Sequence, residues 1–323
     1  MASPNLSEIV TTTLRNRSGK LADNVSESTV LLHRLKRKGN VKPVDGGRTI
    51  VQELEYAENS TYKRYSGYEM LNIAPSDVFT AAEFDWKQAA VAVSISGLEE
   101  LQNSGEEKKI DLLESRIKNA ERTMMNNMSG DVYSDGTADG GKQIGGLQLL
   151  VADSPSTGTV GGINRANYSF WRNIAQDATT DFGAAASAVN IQSYMNRIWL
   201  QLVRGTDRPD LIVADNNYYR LYCESLQSIQ RITSDDMAKA GFQSLKYMDA
   251  DVVFDGGYGG SAPANHMYFL NTQYIHFRPH KDRNMVPLNP DRFSVNQDAM
   301  VKLVAWAGNM TLSNAFLQGV LKD

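Results

Sequence analysis

A glycine-rich stretch, DGTADGGKQIGG, spans residues 135–146 and has a spacing that could cradle a phosphate. Gly136, Gly141 and Lys142 follow the pattern G-x-x-x-x-G-K-[ST], but Gln143 stands where a Ser or Thr hydroxyl would hold magnesium. A phosphate loop must also follow a buried strand and open a helix, because its amides and the helix dipole converge on the phosphates. Here the sequence predicts a helix before the glycines and a short apolar strand, IGGLQLLVAD, after them. We therefore expect a glycine-rich turn rather than a nucleotide site.

The same stretch partly resembles a calcium loop, since DVYSDG follows a predicted helix. Asp131, Asp135 and Gly136 match the first, fifth and sixth positions of such a loop. Tyr133 and Lys142 stand at the third and twelfth positions, where oxygen ligands are needed. The sequence therefore predicts no metal site.

The other residues that could do chemistry form no catalytic motif. The four histidines, His33, His266, His276 and His280, do not fit H-E-x-x-H, and no G-x-S-x-G nucleophile turn occurs. Cys223 lies in a predicted helix, NNYYRLYCESL, where a buried thiol is expected rather than a nucleophile. His276 is predicted to pack or cap on a strand-like run. We predict no catalytic residue, no cofactor and no enzymatic activity.

Composition is that of a folded soluble protein. The chain has 323 residues, of which 41% are hydrophobic and 22% charged, with a net charge of -4. This charge gives no global basic field for nucleic acid, although local contact with DNA stays compatible with it. A single cysteine excludes an internal disulfide and favours a cytosolic protein. No apolar run approaches the length of a membrane span, and the start lacks the apolar core of a secretion signal.

The first 46 residues are polar and are predicted to form an irregular arm. It contains a basic cluster, HRLKRKGN, with Arg34, Lys36, Arg37 and Lys38. Two interpretations of this cluster remain open. It is either a solvated stretch or a contact to an acidic partner surface or to nucleic acid.

A long β-hairpin is predicted between Arg48 and Trp86. RTIVQELEY alternates apolar and polar residues, and a second strand-like run, TAAEFDWKQAAVAVSISG, follows a polar, turn-rich segment. Such a hairpin with few apolar residues at its tip is not stable alone in water and needs a surface to lie on. We hypothesise that it lies across an adjacent subunit and that its tip residues Tyr62, Lys63, Arg64 and Tyr65 make the contact.

A long helix is predicted from about residue 105 to 127. Ser104 and Glu107 form a capping box, and Gly130 is expected near the end of the helix. Apolar residues recur at spacings of three and four along one face, and they include Ile110, Leu113, Ile117, Ala120, Met124 and Met128.

The second half of the chain is predicted to form an α/β unit. NIQSYMNRIWLQLVRG is an amphipathic helix that stops at Gly205, and RPDLIVAD is a buried strand followed by a helix capped by Asp215. ADVVFD and HMYFLNTQYIHF are further strands, joined by an exposed loop, GGYGGSAPAN. The run from Ala299 to Trp306 is apolar on both faces, so it must be covered on both sides. It is expected to close back on the domain of the long helix.

An arm and a projecting hairpin have no use in a monomer, so this combination indicates a subunit of a self-assembling shell. The sequence also resembles the major capsid proteins of tailed bacteriophages, whose fold is shared with herpesvirus capsids. Matching segments run along nearly the whole chain. They include AEFDWKQAAVAVSISGLEELQNSG, GGINRANYSFWRN, RGTDRPDLIVAD, MYFLNTQYIHF and WAGNMTLSNAFLQGVLKD.

The resemblance implies an α+β fold with four parts. These are an N-terminal arm (1–46), an extended loop (47–86), a peripheral domain with the long spine helix (87–175 and 285–323) and an axial domain (176–284). It implies a virion protein, assembled in the host cytoplasm, whose hexamers and pentamers close an icosahedral shell around double-stranded DNA. The implied partners are other copies of the chain, with a separate scaffolding protein, a portal, a decoration protein and the packaged DNA as further possibilities, and no membrane.

Some relatives carry an N-terminal scaffolding segment that a protease removes, or cross-link their subunits through Lys and Asn. Neither feature is predicted here, because the extended loop begins near residue 47 and no Lys–Asn pair can be assigned. Two alternatives to a viral shell stay open, the shell of a host nanocompartment that encloses protein cargo and an α/β enzyme.

Overall fold

The computed structural model describes residues 15, 17, 19–24, 29–98, 106–226, 244–255, 262–288, 292–293 and 299–323, with side chains not described for residues 106–113, 244, 292–293 and 299–300. Its helices are α1 (Val30–Arg37), α2 (Glu106–Asp131), α3 (Ala138–Gly141), α4 (Leu147–Leu150), α5 (Ala178–Phe182), α6 (Ile191–Leu202) and α7 (Asn216–Ser225), with 3-10 turns at Ser169–Trp171 and Thr272–Tyr274. Its strands are β1 (Ile50–Glu55), β2 (Phe79–Phe84), β3 (Lys87–Ser96), β4 (Thr159–Val160), β5 (Ile163–Asn164), β6 (Ile174–Asp177), β7 (Leu211–Ala214), β8 (Ser244–Tyr247), β9 (Ala250–Phe254), β10 (His266–Leu270), β11 (Ile275–Pro279), β12 (Val286–Pro287), β13 (Arg292–Phe293), β14 (Ala299–Leu312) and β15 (Gly319–Lys322).

Described parts of the predicted irregular arm are helical. Helix α1 buries Val30, Leu31, Leu32 and Leu35 in the main core, because these residues fall on one face at helical spacing. After α1 the chain runs beside β11, where isolated bridges join Val41 and Val44 to that strand and to the residue after it. The expectation of an irregular arm is therefore wrong for residues 30–37.

The two strands of the hairpin pair over fewer residues than the sequence predicts. Strands β1 and β2 pair antiparallel from Ile50–Phe84 to Glu55–Phe79, and residues 56–78 form a long connection without regular strands. The second strand-like run divides at Asp85 and Trp86. Its first part, β2, closes the hairpin, and its second part, β3, pairs with β14 over ten residues. The hairpin thus forms a two-stranded sheet of its own, followed directly by the strand that enters the larger sheet.

Helix α2 is the predicted spine. Its described apolar side chains at Ile117, Ala120, Met124 and Met128 are all buried, which confirms that stripe. The helix continues past Gly130 and ends at Asp131. The proposed capping residue Ser104 and the side chains of Glu107, Ile110 and Leu113 lie outside the described part of the chain.

The sheet beneath the spine helix is organised by β14. This strand pairs with β3 on one side and with β11, β12 and β13 along the other. Val304, Ala305, Trp306 and Ala307 are all buried, so the strand is covered on both faces as its apolar sequence predicts.

A second, six-stranded sheet has the order β6-β15-β10-β7-β9-β8. All four residues of β7 are buried, and α6 and α7 contribute to the core on this sheet. Asp215 caps α7 by accepting a hydrogen bond from the Tyr218 amide at 2.9 Å, as predicted. Most of the predicted exposed loop GGYGGSAPAN lies outside the described residues.

Strand β15 joins this second sheet between β6 and β10. Residues 319–322, which are predicted to belong to the peripheral domain, thus pair with β6 and β10. Because β14 and β15 follow each other in the chain, the C-terminal segment ties the two sheets together. The division of the chain into domains stays a prediction.

The segment after the glycine-rich turn differs from its prediction. IGGLQLLVAD is expected as a strand, but residues 147–150 form one turn of helix, α4. Leu147 and Leu150 point into the core, and the Leu147 amide bonds the Val132 carbonyl at 2.8 Å. A short apolar run cannot by itself distinguish a strand from a buried helical turn. No described helix is both long and apolar enough to cross a membrane.

Candidate assembly interface

The glycine-rich stretch is a packed turn between α2 and α4. A Cβ at Gly146 would lie 2.5 Å from each of three backbone atoms, so only glycine fits there. The Gly145 amide donates to Oδ1 of Asn309 at 3.1 Å, and Gln143 donates to Asp131 at 2.8 Å. Lys142 points into solvent. Packing thus accounts for Gly146, whereas Gly140 and Gly141 have open space around them and positive φ angles, as in a turn.

The histidines are dispersed over different elements. His276 on β11 is half-buried, and burial, helped by the charges of Arg278 and Lys42, lowers its pKa to about 4, so the ring is neutral at pH 7. His280 packs against Trp86 with ring centroids 5.3 Å apart. Cys223 is half-buried on α7. Within the described ranges, no group of three or more His, Cys, Asp or Glu residues is placed to hold a metal ion.

The basic cluster has partners inside the chain. Arg34 is only 16% exposed, and its guanidinium lies 3.1 Å from Asp210 and 3.4 Å from Asp251. Lys38 lies 2.8 Å from the same Asp210, and Lys36 lies 2.7 Å from Asp23. Burial alone would raise the pKa of Asp210, but hydrogen bonds from Lys38 and from Thr272 lower it below its usual value.

Neither interpretation of the basic cluster includes an ion pair between Arg34 and carboxylates of its own chain. The ion pairs fasten α1 to the start of β7 and to β9, so Arg34 has a structural role in the subunit. Lys36, Arg37 and Lys38 have exposed side chains. Contact of these three residues with DNA or with an acidic neighbour stays a prediction.

The base of the hairpin lies on the subunit's own core. Ile50, Leu54, Ala82 and Phe84 are buried on its inner face, and Val51 on the outer face is exposed. On β1, the Gln52 amide oxygen accepts hydrogen bonds from Arg278 at 3.1 Å and from Thr311 at 3.3 Å. The alternation in RTIVQELEY therefore gives β1 one buried face, and this face lies on β11 and β14.

The tip of the hairpin has no such support. Tyr62, Tyr65 and Tyr68 are 78%, 63% and 107% exposed. Lys63 forms an ion pair with Glu69 at 3.0 Å, between side chains that are both about half exposed. The four predicted contact residues thus lie together on a projecting segment, presented to solvent.

The tip is more apolar than its predicted polar character. Met70, Leu71 and Ile73 are 91%, 48% and 94% exposed. The signal is present in YEMLNI, an apolar-rich segment between turn residues that belongs to neither predicted strand. Clustered exposed apolar side chains of this kind mark interaction surfaces in soluble proteins.

Solved structures share this architecture. A capsid asymmetric unit of cyanophage A-1(L) matches with a TM-score of 0.63 over 88% of this chain and 90% of that chain, at 17% identity. The chain has the tailed-phage major capsid fold. A structure from Gordonia phage Cozz matches with a TM-score of 0.55 over 88% of this chain and 84% of that chain, at 12% identity. The SrpI encapsulin complex of Synechococcus elongatus matches with a TM-score of 0.52 over 90% of this chain and 86% of that chain, at 9% identity.

No protein-family model and no curated protein matches the sequence. The structural matches confirm the fold that the resemblance implies. In each of these three matches, between 84% and 90% of both chains align.

Proposed function

We propose that this chain is the major capsid subunit of a tailed bacteriophage and that its hexamers and pentamers close an icosahedral shell around double-stranded DNA. The match to a phage capsid subunit over 88% of the chain carries the proposal. The hairpin supports the proposal independently. Its tip exposes a cluster of aromatic and apolar side chains, and such clusters mark surfaces that bind a partner. The role is structural rather than catalytic.

The tip supports a contact with a neighbouring subunit. Tyrosine and arginine are the side chains most often found at the centres of protein interfaces, and Tyr62, Arg64 and Tyr65 combine them on one segment. Lasting interfaces usually bury more than about 2,000 Å². A long hairpin laid on a neighbour can supply part of this area.

A portal, a separate scaffolding protein and a decoration protein belong to the same proposal as additional partners, with assembly in the host cytoplasm.

Negative-stain microscopy of the purified protein over a range of concentrations tests the proposal. We expect closed particles of uniform size that contain five- and six-subunit units. A protein that stays monomeric at every concentration and ionic strength would contradict it.

The second candidate is a nanocompartment shell, which the encapsulin match favours because it covers 90% of the chain. The contents of particles isolated from the natural source decide between the two. Nuclease-protected double-stranded DNA supports the viral shell, and a stoichiometric protein cargo without DNA supports the nanocompartment.

A further inference from the structure

The chain holds four Asp-Gly bonds, which begin at Asp45, Asp135, Asp139 and Asp255. An aspartate before a glycine can react with its own backbone, because glycine has no side chain to hinder attack of its amide nitrogen on the aspartate carboxyl carbon. All four sites have the same two residues. The contacts that the fold gives to each carboxylate therefore decide which site reacts.

The first carboxylate of the glycine-rich turn is held in place. Asp135 accepts hydrogen bonds from the Thr137 amide at 3.0 Å and from the Thr137 hydroxyl at 2.8 and 2.9 Å. These hydrogen bonds, that of the amide first, lower the pKa of Asp135. A neutral carboxyl group loses water more readily than a carboxylate loses oxide, so the bonds to Thr137 keep Asp135 in its unreactive form.

Two further carboxylates also have partners. The Tyr133 hydroxyl donates to Asp255, whose own amide and carbonyl are paired with the backbones of Ala214 and Ala262. Asp45 lies 3.6 Å from Lys281, and both side chains are well exposed. Exposed ion pairs are weak, so Asp45 is held less firmly than Asp135 and Asp255.

Asp139 has none of these restraints. Within the part of the chain that the structure describes, its exposed carboxylate accepts no hydrogen bond and forms no ion pair, and the Gly140 amide has no acceptor. The backbone of Asp139 is left-handed, with φ 53° and ψ 35°, which is strained for a residue that carries a side chain. Gly140 and Gly141 have open space around them, so the turn can change shape without displacing its neighbours.

We propose that Asp139 is a site of spontaneous isomerisation to isoaspartate. The Gly140 nitrogen bonds to the Asp139 side-chain carboxyl carbon and gives up its proton, and the carboxyl oxygen leaves as water, which closes a cyclic imide. Water then adds to the Asp139 main-chain carbonyl carbon and breaks its bond to the Gly140 nitrogen. The main chain now runs through the former side chain, and the former main-chain carbonyl is a free carboxylate. No oxidant or second reactant is needed, and the inference does not rest on the proposed shell function.

The product changes a contact between the turn and the large sheet. Isoaspartate adds one methylene to the main chain two residues before Gly141. The Gly141 carbonyl accepts a hydrogen bond from the Lys87 ammonium at the start of β3. Isomerisation therefore displaces the acceptor of Lys87, and an aged subunit differs from a new one in its link between the turn and β3.

Ageing the folded protein in heavy-oxygen water at pH 6 tests the proposal, since each imide that hydrolyses takes up one labelled oxygen. Peptide mapping should find isoaspartate at Asp139 at least about tenfold faster than at Asp135, because a hydrogen bond to a charged group is worth at least that factor. Asp45 should react at an intermediate rate. In urea the four rates should become similar. Equal rates at Asp135 and Asp139 in the folded protein, or a ranking that persists in urea, would overturn the inference.

Variants of the turn separate reactivity from detection. Asp139→Asn keeps the side-chain geometry and releases ammonia instead of water, so it should form isoaspartate faster than the wild type. Asp139→Glu would need a larger ring and should give no product at this position. Thr137→Val removes the hydroxyl that binds Asp135 and should speed isomerisation there several-fold without changing Asp139. Absence of isoaspartate in the folded Asp139→Asn chain would show that the turn cannot close the ring and would refute the proposal.

The reactivity of Lys87 toward an amine-acylating reagent gives a structural readout. It should rise in step with the isoaspartate content of the aged wild type, because the Lys87 ammonium loses its carbonyl partner. The Asp139→Glu chain, aged in parallel, is the control and should keep its starting reactivity. Constant reactivity of Lys87 in a wild-type sample rich in isoaspartate would contradict displacement of the Gly141 carbonyl.

Discussion

At the scale of single residues, Arg34 shows how an apparent surface charge becomes structural. The sequence places it in a run of basic residues, yet it is mostly buried and faces the carboxylates of Asp210 and Asp251, the second of which is 5% exposed. A buried carboxylate that loses its cationic partner is strongly destabilising. The contacts of Arg34 therefore decide how firmly α1 is held to the second sheet.

Replacing this side chain should destabilise the folded subunit. We expect Arg34→Met to lower the free energy of unfolding by about 2–3 kcal/mol, since Lys38 and Lys246 still neutralise part of the charge. Lys36→Met is the control. It removes an exposed pair with Asp23 and should cost less than about 1 kcal/mol. Urea unfolding of the unassembled subunit measures both, and equal losses would contradict the structural role of Arg34.

His266 links the loop after α4 to β10 in a pH-dependent way. Its Nε2 lies 3.0 Å from Asp153 and its Nδ1 2.7 Å from the Ala264 carbonyl, an arrangement that suits a doubly protonated ring. Burial alone, and the charge of Lys322, would lower the pKa of His266, but the hydrogen bonds to Asp153 and Ala264 outweigh them and raise it. The same contact lowers the pKa of Asp153.

The direction of the pH effect follows from the raised pKa. The stabilisation by His266 is fully present below the unfolded value of about 6.5 and is lost as the pH rises through the folded value. His266→Gln should therefore reduce the free energy of unfolding more at pH 5.5 than at pH 9. Asp153→Asn should give the same trend. A difference between wild type and His266→Gln that does not change with pH would contradict the ion pair.

At the scale of elements, the β4–β5 turn holds the hairpin in place. The Glu83 amide on β2 donates to the Gly161 carbonyl at 2.9 Å, and a Cβ at Gly161 would lie 2.8 Å from Cβ of Ala82 and 3.1 Å from the Phe84 ring. The next residue, Gly162, has open space around the same position. Both glycines have positive φ angles, of 58° and 76°.

This pair of glycines gives a matched test. Gly162→Ala should cost roughly 1–2 kcal/mol, the strain of a left-handed conformation. Gly161→Ala carries the same strain and also overpacks the contact with β2, which typically adds about 1–3 kcal/mol. Hydrogen exchange of the Glu83 amide should accelerate in Gly161→Ala and stay slow in Gly162→Ala. Equal exchange in the two variants would show that the turn does not support the hairpin.

The elements also show where sequence patterns suffice. The spine helix follows from apolar residues spaced three and four apart, and β14 follows from a largely apolar run. Residues 147–150 have too short a pattern, and the packing of Leu147 and Leu150 settles their helical form. Helix α1 carries four apolar residues at helical spacing beside its basic residues, so its amphipathic pattern is present in the sequence although a polar arm is expected there.

At the scale of the whole molecule, folding and assembly are separable. The base of the hairpin is buried against the subunit's own sheet, whereas the tip is exposed. Replacing residues Glu58–Tyr68 by a short Gly-Ser turn should change the free energy of unfolding by less than about 1 kcal/mol, because surface positions contribute little to the fold. The shortened chain should melt cooperatively and fail to form closed particles in sedimentation.

Two results would contradict this separation. Normal numbers of closed particles from the shortened chain would show that the tip is not an inter-subunit contact. A chain that no longer folds would show that the tip belongs to the subunit's core. A Gly-Ser replacement of residues 154–157, which form another exposed turn of this subunit, is the control for loop shortening and should leave assembly unchanged.

The sequence by itself determines the elements that depend on local pattern. Alternation sets β1, the three-and-four spacing sets α2, and Asp215 caps α7. The largely apolar run of β14 requires that strand to be covered on both faces. The segments that resemble tailed-phage capsid proteins also give the fold correctly.

The tertiary structure decides what depends on contacts between distant residues. It pairs Arg34 with Asp210 and Asp251, inserts β15 into the second sheet, and brings Tyr56, Phe79 and Phe170 together in one groove. The physical reason is that the repeat of a helix or strand fixes side-chain spacing over a few residues. Burial and charge pairing depend instead on which surfaces the folded chain brings into contact.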